Sequence, residues 1–203
     1  NQNIYNSVEK LKNDFEEKLR IADVYENLKK TANGEIVSDN TKITFERYIM
    51  GSYFEQVLYY ANLRFSKMTG GRYEIVRGES RDKRISAGLE ISVRDNFNNK
   101  ERDISSLSGG ESFQASLALA LGLSDIIQQR NGGIRLDSIF IDEGFGSLDN
   151  DSLASAIETL NDLTGNGNRL VGIISHISEL KNSIGNKIEV VGTKSGSSIK
   201  IIT

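Results

Sequence analysis

The sequence contains no cysteine, no long apolar run and no excess of positive charge. Without cysteine it can have neither a disulfide framework nor thiol chemistry, which is typical of proteins in a reducing compartment. No apolar run approaches the roughly 18 residues of a membrane-spanning helix, and the first residues show no signal-peptide pattern. We therefore expect a soluble, cytoplasmic piece of a longer gene product that has no membrane partner.

The net charge of -3 gives no bulk attraction to nucleic acid, so any DNA binding must use a local patch or a partner. With 37% hydrophobic and 26% charged residues among 203, the chain is typical of a globular domain that carries an exposed helix. One local basic patch is formed by Arg77, Arg81, Lys83 and Arg84. Acidic residues dilute it and no aromatic residue is interleaved for base stacking, so a solvated loop and a DNA contact both stay open.

Residues 4 to about 30 are predicted to form one helix with apolar residues spaced four, three and four apart. That spacing is typical of a coiled-coil seam, with mixed charges on its flanks. An amphipathic surface helix is the alternative, because two to three heptads do not decide between the two. A polar stretch with turn residues at 31–44 separates this helix from the rest of residues 31–203. The seam residues are Ile4, Val8, Leu11 and Phe15.

The rest of the chain alternates predicted helices and strands, which indicates an α/β fold. The helix that begins at residue 111 is apolar on nearly every face and is expected to be buried. The strands at 138–141 and 169–175 are also expected to be buried, and the helix between them predicts a parallel pair. Helices are predicted at 45–68, 111–129 and 151–163, and strands at 72–76, 88–93, 138–141, 169–175, 187–191 and 198–202.

Two adjacent carboxylates, Asp142 and Glu143, follow the strand at 138–141, and Gly144 and Gly146 come after them. The carboxyl end of a strand is where open α/β sheets bind ligands. There the first acid could hold a hydrated Mg²⁺ ion, and the second could orient or deprotonate an attacking water. Taken alone, the same residues also fit a solvated acidic turn.

His176 is the only histidine and directly follows the strand at 169–175. A lone histidine is usually incidental. This one lies beyond a strand predicted to run parallel to the strand that carries the acids, and it is therefore a candidate member of the same site.

Ser108, Gly109 and Gly110 stand at the start of the apolar helix. Glycines leave the backbone N–H groups uncovered, and a helix N-terminus carries partial positive charge, so this position can bind an anion such as phosphate. The alternative is that Ser108 is an ordinary N-cap and that the glycines only make the turn.

Together these pieces resemble the signature motif, Walker B motif, D-loop and switch histidine of an ABC-type ATPase. The matching residues are 107–111, Asp142 and Glu143, 147–149, and 175–176. The closer resemblance is to the C-terminal half of the SbcC family, the ATPases of a bacterial DNA-repair nuclease, and residues 68–73 share it. The glycine and phenylalanine after the acid pair argue against ABC transporters, which usually have proline there, and against SMC chromosome proteins.

This resemblance covers about residues 44–203 and implies a fold class. The expected architecture is α/β: the C-terminal lobe of an ABC-type ATPase head, with a mixed, largely parallel sheet flanked by helices and an N-terminal coiled-coil helix. Residues 1–30 would be the end of an antiparallel coiled coil, and residues 31–203 the C-terminal half of the head.

The resemblance also implies roles for single residues, with ATP as substrate and Mg²⁺ as its metal. Asp142 would hold the Mg²⁺, Glu143 would activate the hydrolytic water, and His176 would contact the γ-phosphate. A second set would bind the nucleotide held by an opposing head, or lie across that dimer interface. It comprises Ser108, Gly109, Gly110, Glu111 and Asp149.

The sequence contains no G-x-x-x-x-G-K-[ST] loop, which holds the nucleotide phosphates in such ATPases. We therefore expect ATP hydrolysis only with the N-terminal half of the same protein and none by this piece alone. The other implied partners are a second copy of the head, an SbcD-type metallophosphoesterase nuclease, and DNA. An SMC-like tethering clamp without a nuclease, and a protein without nucleotide chemistry, are the alternatives.

Overall fold

The computed structural model describes residues 2–35, 43–78, 89–130, 136–167, 169–193 and 196–203. Arg81, Lys83 and Arg84 of the predicted basic patch lie outside these ranges. The helices are α1 Gln2–Ala32, α2 Phe45–Met68, α3 Gly109–Arg130, α4 Asn150–Gly167 and α5 Ser178–Ser183. The strands are β1 Tyr73–Arg77, β2 Ile91–Asp95, β3 Lys100–Asp103, β4 Ser138–Asp142, β5 Leu170–Ile174, β6 Lys187–Thr193 and β7 Gly196–Ile202.

Helix α1 has no buried side chain along its whole length. Its predicted seam residues, from Ile4 to Phe15, are 59–68% exposed. Charged pairs such as Lys12 with Glu16 and Lys18 with Asp14 lie four residues apart on its surface, where each adds little stability. The helix is as predicted, and its pairing in a coiled coil stays a prediction.

Helices α2 and α3 pack against each other and form the centre of the core. The predicted burial of α3 is confirmed for the side that packs on the core, whereas Leu123 on the same helix is 49% exposed. In α2, the apolar side chains of Tyr48 and Leu63 are 69% and 57% exposed. Only one side of α2 meets α3 and β1, so its remaining apolar side chains face outward. Buried core residues of the two helices include Leu58, Ala61, Phe65, Ala115, Ala118 and Leu121.

Strands β1, β2 and β3 form an antiparallel sheet in that order. The Asn62 side chain joins this sheet to α2, because its amide oxygen accepts the Ile75 N–H at 2.8 Å and its amide nitrogen donates to the Ile75 carbonyl at 2.7 Å. Strand β3 was not predicted. Its four residues, Lys-Glu-Arg-Asp, are all charged and show no alternation, and it forms as the outer partner of β2.

Strands β4 and β5 are parallel, as predicted, and α4 connects them. Their expected burial is wrong for one face of the pair, because Phe140, Leu170 and Ile174 are 70%, 65% and 56% exposed. Side chains alternate along a strand, and only the other face packs on the core. That inner face consists of Ile139, Ile141, Val171 and Ile173.

The chain continues with the short α5, which was not predicted, and the predicted β6–β7 hairpin. Lys181 of α5 pairs with Glu189 of β6 at 2.7 Å and ties the two together. In the part of the chain that the structure describes, no helix has both the length and the apolar content needed to cross a lipid bilayer.

Candidate active site

The register of β4 and β5 brings the carboxyl ends of the two strands to one edge, with Asp142 opposite Ile174. Glu143 follows with φ of +60°, a left-handed conformation that is uncommon for a residue with a side chain. Its N–H donates to the Ile174 carbonyl at 3.0 Å, which fixes this backbone against β5. Such conformations persist where the surroundings determine them, and they concentrate at functional sites.

Glu143 and His176 meet at this edge. Nδ1 of His176 lies 3.2 Å from Oε1 and 3.1 Å from Oε2 of Glu143. A hydrogen bond forms at these distances when Nδ1 carries a ring proton and a carboxylate oxygen accepts it. The histidine side chain is 80% exposed, which leaves its second ring nitrogen accessible to a ligand. The structure therefore brings together two residues that the sequence placed in one site.

Asp142 offers an exposed carboxylate at the last position of β4. Mg²⁺ commonly takes one or two protein carboxylates and completes its shell with waters and substrate phosphates. A single open carboxylate at the strand end fits that requirement. Among the described residues, no three His, Cys, Asp or Glu side chains are grouped so that they could hold a metal by themselves. Asp142 would thus hold Mg²⁺ as one ligand among waters and phosphate oxygens.

Ser108 and Glu111 form a capping box at the start of α3. The Ser108 N–H donates to Oε2 of Glu111 at 2.9 Å, and the Glu111 N–H donates to Oγ of Ser108 at 3.3 Å. The interpretation of Ser108 as an N-cap is therefore correct as far as the helix start is concerned. The serine and glutamate three residues apart were a visible sequence sign of this box.

Glu111 also contacts two residues that sequence reasoning did not assign to the site, Tyr73 of β1 and Arg102 of β3. Burial acts to raise the pKa of the Glu111 carboxyl, but hydrogen bonds from Ser108 and Tyr73 and the nearby Arg102 charge outweigh it and lower that pKa. Burial, followed by the contact with Glu111, raises the pKa of the Tyr73 hydroxyl. No local sequence pattern connects residues so far apart along the chain.

The start of α3 packs directly on residues 144–148. A Cβ atom built on Gly110 would lie 2.9 Å from the Ser147 carbonyl oxygen, so only glycine permits this approach. The Phe113 ring covers Gly144 and packs against the Phe145 ring, with a centroid distance of 4.8 Å. The predicted anion site and the turn that follows Glu143 are thus one packed unit.

Asp149 is the N-cap of α4. Its Oδ1 accepts the Ser152 N–H at 2.8 Å, and its carbonyl accepts the Leu153 N–H at 2.9 Å. The hydrogen bond from the Ser152 backbone, followed by those from the Ser152 side chain and the Asp151 N–H, lowers the pKa of Asp149. The predicted site residues therefore fall into two groups: Asp142, Glu143 and His176 at the strand ends, and the others at the N-termini of α3 and α4.

Known proteins that are similar in sequence show to which family this chain belongs. Residues 79–162 match the family described as SbcC/RAD50-like, Walker B motif. The chain is 49% identical over 173 residues to the C subunit of the SbcCD nuclease of Vibrio cholerae, covering 85% of this chain and 17% of that protein. It is 46% identical over 194 residues to the corresponding protein of Staphylococcus epidermidis, covering 96% and 19%. The chain belongs to the SbcC family. It spans less than a fifth of the length of these curated relatives.

Solved structures with the same fold are heads of SMC proteins. One, from work on ATP-driven dimerization and DNA-stimulated activation of SMC ATPases, has a TM-score of 0.58 at 16% identity, covering 77% of this chain and 89% of that one. The Pyrococcus furiosus Smc head with an extended coiled coil, bound to a domain of ScpA, has a TM-score of 0.55 at 18% identity, covering 78% and 37%. These likenesses concern the fold, and they confirm the predicted class, a lobe of an ABC-type ATPase head. The expectation of one largely parallel sheet is wrong for the described residues, whose strands form three small sheets with only the β4–β5 pair parallel.

Proposed function

We propose that this SbcC-family chain is the C-terminal lobe of an ATPase head and hydrolyses ATP once the lobe with the phosphate-binding loop joins it. The observation that carries the proposal is the meeting of Glu143 and His176 beside Asp142, at the ends of two parallel strands. An exposed carboxylate can hold Mg²⁺ and a second carboxylate beside it can position an attacking water, which are two of the parts that recur in phosphoryl transfer to water.

Each of the three residues has one role in this proposal. Asp142 would hold Mg²⁺, and the bound ion would neutralise negative charge on the phosphates. Glu143 orients the attacking water and accepts its proton, and its fixed backbone limits where the carboxylate can reach. His176 contacts Glu143 through Nδ1 and would contact the terminal phosphate, where its other nitrogen donates a hydrogen bond only when both ring nitrogens carry a proton.

Residues 108–110 and Asp149 serve a different nucleotide, which is bound to an opposing head. Free N–H groups at the start of α3 and the Ser108 hydroxyl suit phosphate oxygens of that nucleotide. Glu111 shapes this helix start, and Asp149 lies across the interface between the heads. ATP binding would then hold two heads together, and hydrolysis would release them.

These relatives are named as subunits of the SbcCD nuclease. This supports the proposal that the present chain also works within a nuclease complex. We propose an SbcD-type metallophosphoesterase as partner, DNA as the substrate of the complex, and the cytoplasm as its location. Helix α1, in the predicted division at residues 1–30, would be the end of the coiled coil. The exposure of its apolar seam residues, at 59–68%, supports this.

An SMC-like clamp without a nuclease is the second candidate, and the likeness of the fold to Smc heads favours it. Reconstitution separates the two. A nuclease complex requires that the purified head stimulate a metallophosphoesterase in an ATP-dependent manner, whereas a clamp would retain DNA without stimulating cleavage.

The central test measures ATP turnover and head dimerisation of this chain alone and after addition of the complementary lobe from the same gene. We expect neither activity alone and both on mixing. Glu143→Gln should lower turnover by about 10²-fold or more while keeping ATP-dependent dimerisation, because the amide keeps the shape and loses the base. Glu179→Gln, an exposed glutamate on α5, is the matched control. Turnover at the wild-type rate by the Glu143 variant would exclude this role.

A further inference from the structure

We infer that Tyr73 and Arg102 are positioning residues that hold residues 106–111 in the shape needed to engage an opposing head. The inference rests on the proposed function, because it concerns how the start of α3 presents its donors. Both residues lie in the antiparallel sheet β1–β2–β3, outside the strand-end groups of Asp142, Glu143 and His176.

Arg102 clamps the chain just before the anion site. Its Nη1 donates to the Ser106 carbonyl at 2.9 Å and to Oγ of Ser106 at 3.1 Å. Its Nη2 donates to the Tyr73 hydroxyl at 3.2 Å, and the guanidinium lies 5.4 Å from the centre of the Tyr73 ring. Ser106 is two residues ahead of Ser108, so the guanidinium fixes the path by which the chain enters α3.

Tyr73 connects this clamp to the core. Its side chain is only 3% exposed, and its ring stacks on Phe65 of α2 with centroids 6.3 Å apart. The hydroxyl accepts from Nη2 of Arg102 at 3.2 Å, and its interaction with the Glu111 carboxyl helps to lower the pKa of that group. That carboxylate in turn accepts the Ser108 N–H at 2.9 Å. Contacts therefore run from Phe65 in the core through Tyr73 and Arg102 to Ser106, two residues before the anion site begins.

A capping box alone is sufficient to start a helix. Tyr73 and Arg102 are therefore not needed for the cap itself, and they have a separate effect. Glu111 places a negative charge beside a position proposed to receive a phosphate, where it would repel the ligand. Arg102 offsets that charge, and the interaction with the Tyr73 hydroxyl also stabilises the ionised carboxyl. Donors that must meet a phosphate act only when held within a few tenths of an ångström, which supporting contacts of this kind provide.

Because these contacts lie next to residues 108–110, they should affect the association of two heads and not the binding of ATP by a single head. Residues 108–110 serve the nucleotide of the opposing head, so loosening them should leave nucleotide binding by a single head unchanged. It should weaken the ATP-dependent association of two heads and the turnover that depends on it. A residue needed only for folding would lower both together.

The test uses the complete head, this chain combined with its complementary lobe, carrying Tyr73→Phe, Arg102→Gln or Arg102→Lys. Tyr60→Phe is the matched control, because it also removes a hydroxyl hydrogen bond, to Gln129 at 3.2 Å, away from α3's first turn. ATP affinity of single heads is measured under conditions without dimerisation, and the dimer dissociation constant is measured separately at saturating ATP.

We expect Tyr73→Phe and Arg102→Gln to weaken dimerisation by about tenfold or more, since each removes a hydrogen bond that involves a charged group. Single-head ATP affinity should stay within about twofold, Arg102→Lys should recover part of the loss, and Tyr60→Phe should behave as wild type. Wild-type dimerisation by both variants would overturn the inference, as would a parallel loss of ATP affinity. If the wild-type head itself does not dimerise with ATP, the proposed function fails, and the inference fails with it.

Discussion

Gly144 shows at the level of one residue how closely the two parts of the site are packed. Its φ is +96°, and a side chain there would overlap the ring of Phe113. Gly144→Ala should therefore destabilise the chain by about 1–3 kcal/mol, because it combines backbone strain with a clash in a packed aromatic pair. The measurement is the free energy of unfolding in denaturant.

Gly165 provides the control for that substitution. It lies in helix α4, and a Cβ built there meets nothing within 4 Å. Gly165→Ala should be neutral or stabilising by up to about 1 kcal/mol, because alanine is the better helix former. If both substitutions change the free energy of unfolding equally, neither the positive φ of Gly144 nor its contact with Phe113 makes alanine unfavourable at that position.

The Glu111 carboxylate in the capping box of α3 should make the free energy of unfolding depend on pH. The pKa of Glu111 in the folded chain is below its ordinary value of 4.5, so its contribution is fully present above about pH 4.5. That contribution is lost as the pH falls through the lower, folded-state pKa. Glu111→Gln should be less stable than wild type at neutral pH, and the difference should shrink in acid. Unfolding measured between about pH 3 and 7 tests this.

Glu9→Gln is the control for the pH series, since Glu9 lies exposed on α1, far along the chain from the cap. It should leave the acid limb of the stability curve unchanged. A difference between wild type and Glu111→Gln that stays constant down to about pH 3 would mean that the carboxylate charge contributes nothing at this helix start.

Among the elements, the strand pair β4–β5 shows which features an apolar sequence pattern predicts and which it does not. The apolar runs located both strands, and the helix between them predicted the parallel order correctly. The same runs predicted burial on both faces, whereas Phe140 and Ile174 are exposed. An apolar run shows that a strand can be buried, and it does not show whether the covering partner belongs to the same chain.

The site was predictable where it depends on strand ends and was missed where it depends on distant contacts. Glu143 and His176 are 33 residues apart, yet each follows a strand, and parallel pairing brings strand ends together. The contact of Arg102 with Tyr73 spans 29 residues and depends on β3, whose charged sequence gave no strand signal. The pairing of β3 with β2 is a tertiary result that overrides local preference.

At the scale of the whole molecule, the described part of the chain leaves large apolar side chains exposed on the faces of two sheets, and such patches mark binding surfaces. One patch is the outer face of β4 and β5, and another is one face of the β6–β7 hairpin. The chain also spans less than a fifth of the length of its curated relatives. We therefore expect the complementary lobe to cover the first patch. The hairpin face consists of Ile188, Val190, Ile199 and Ile201, all 67–71% exposed.

Phe140→Ser tests this expectation directly. Phe140 is 70% exposed, so its loss should change the stability of this chain by no more than about 0.5 kcal/mol. If the complementary lobe buries the ring, association of the two should weaken by roughly tenfold or more, since a buried phenylalanine contributes about 1.5–3 kcal/mol. Phe97→Ser is the control, because Phe97 is 77% exposed but lies beyond β2 in the antiparallel sheet. Binding of the complementary lobe, measured by titration calorimetry, should fall for the first variant only. Equal affinities for both variants would place the interface elsewhere and leave the outer face of β4 and β5 without its proposed partner.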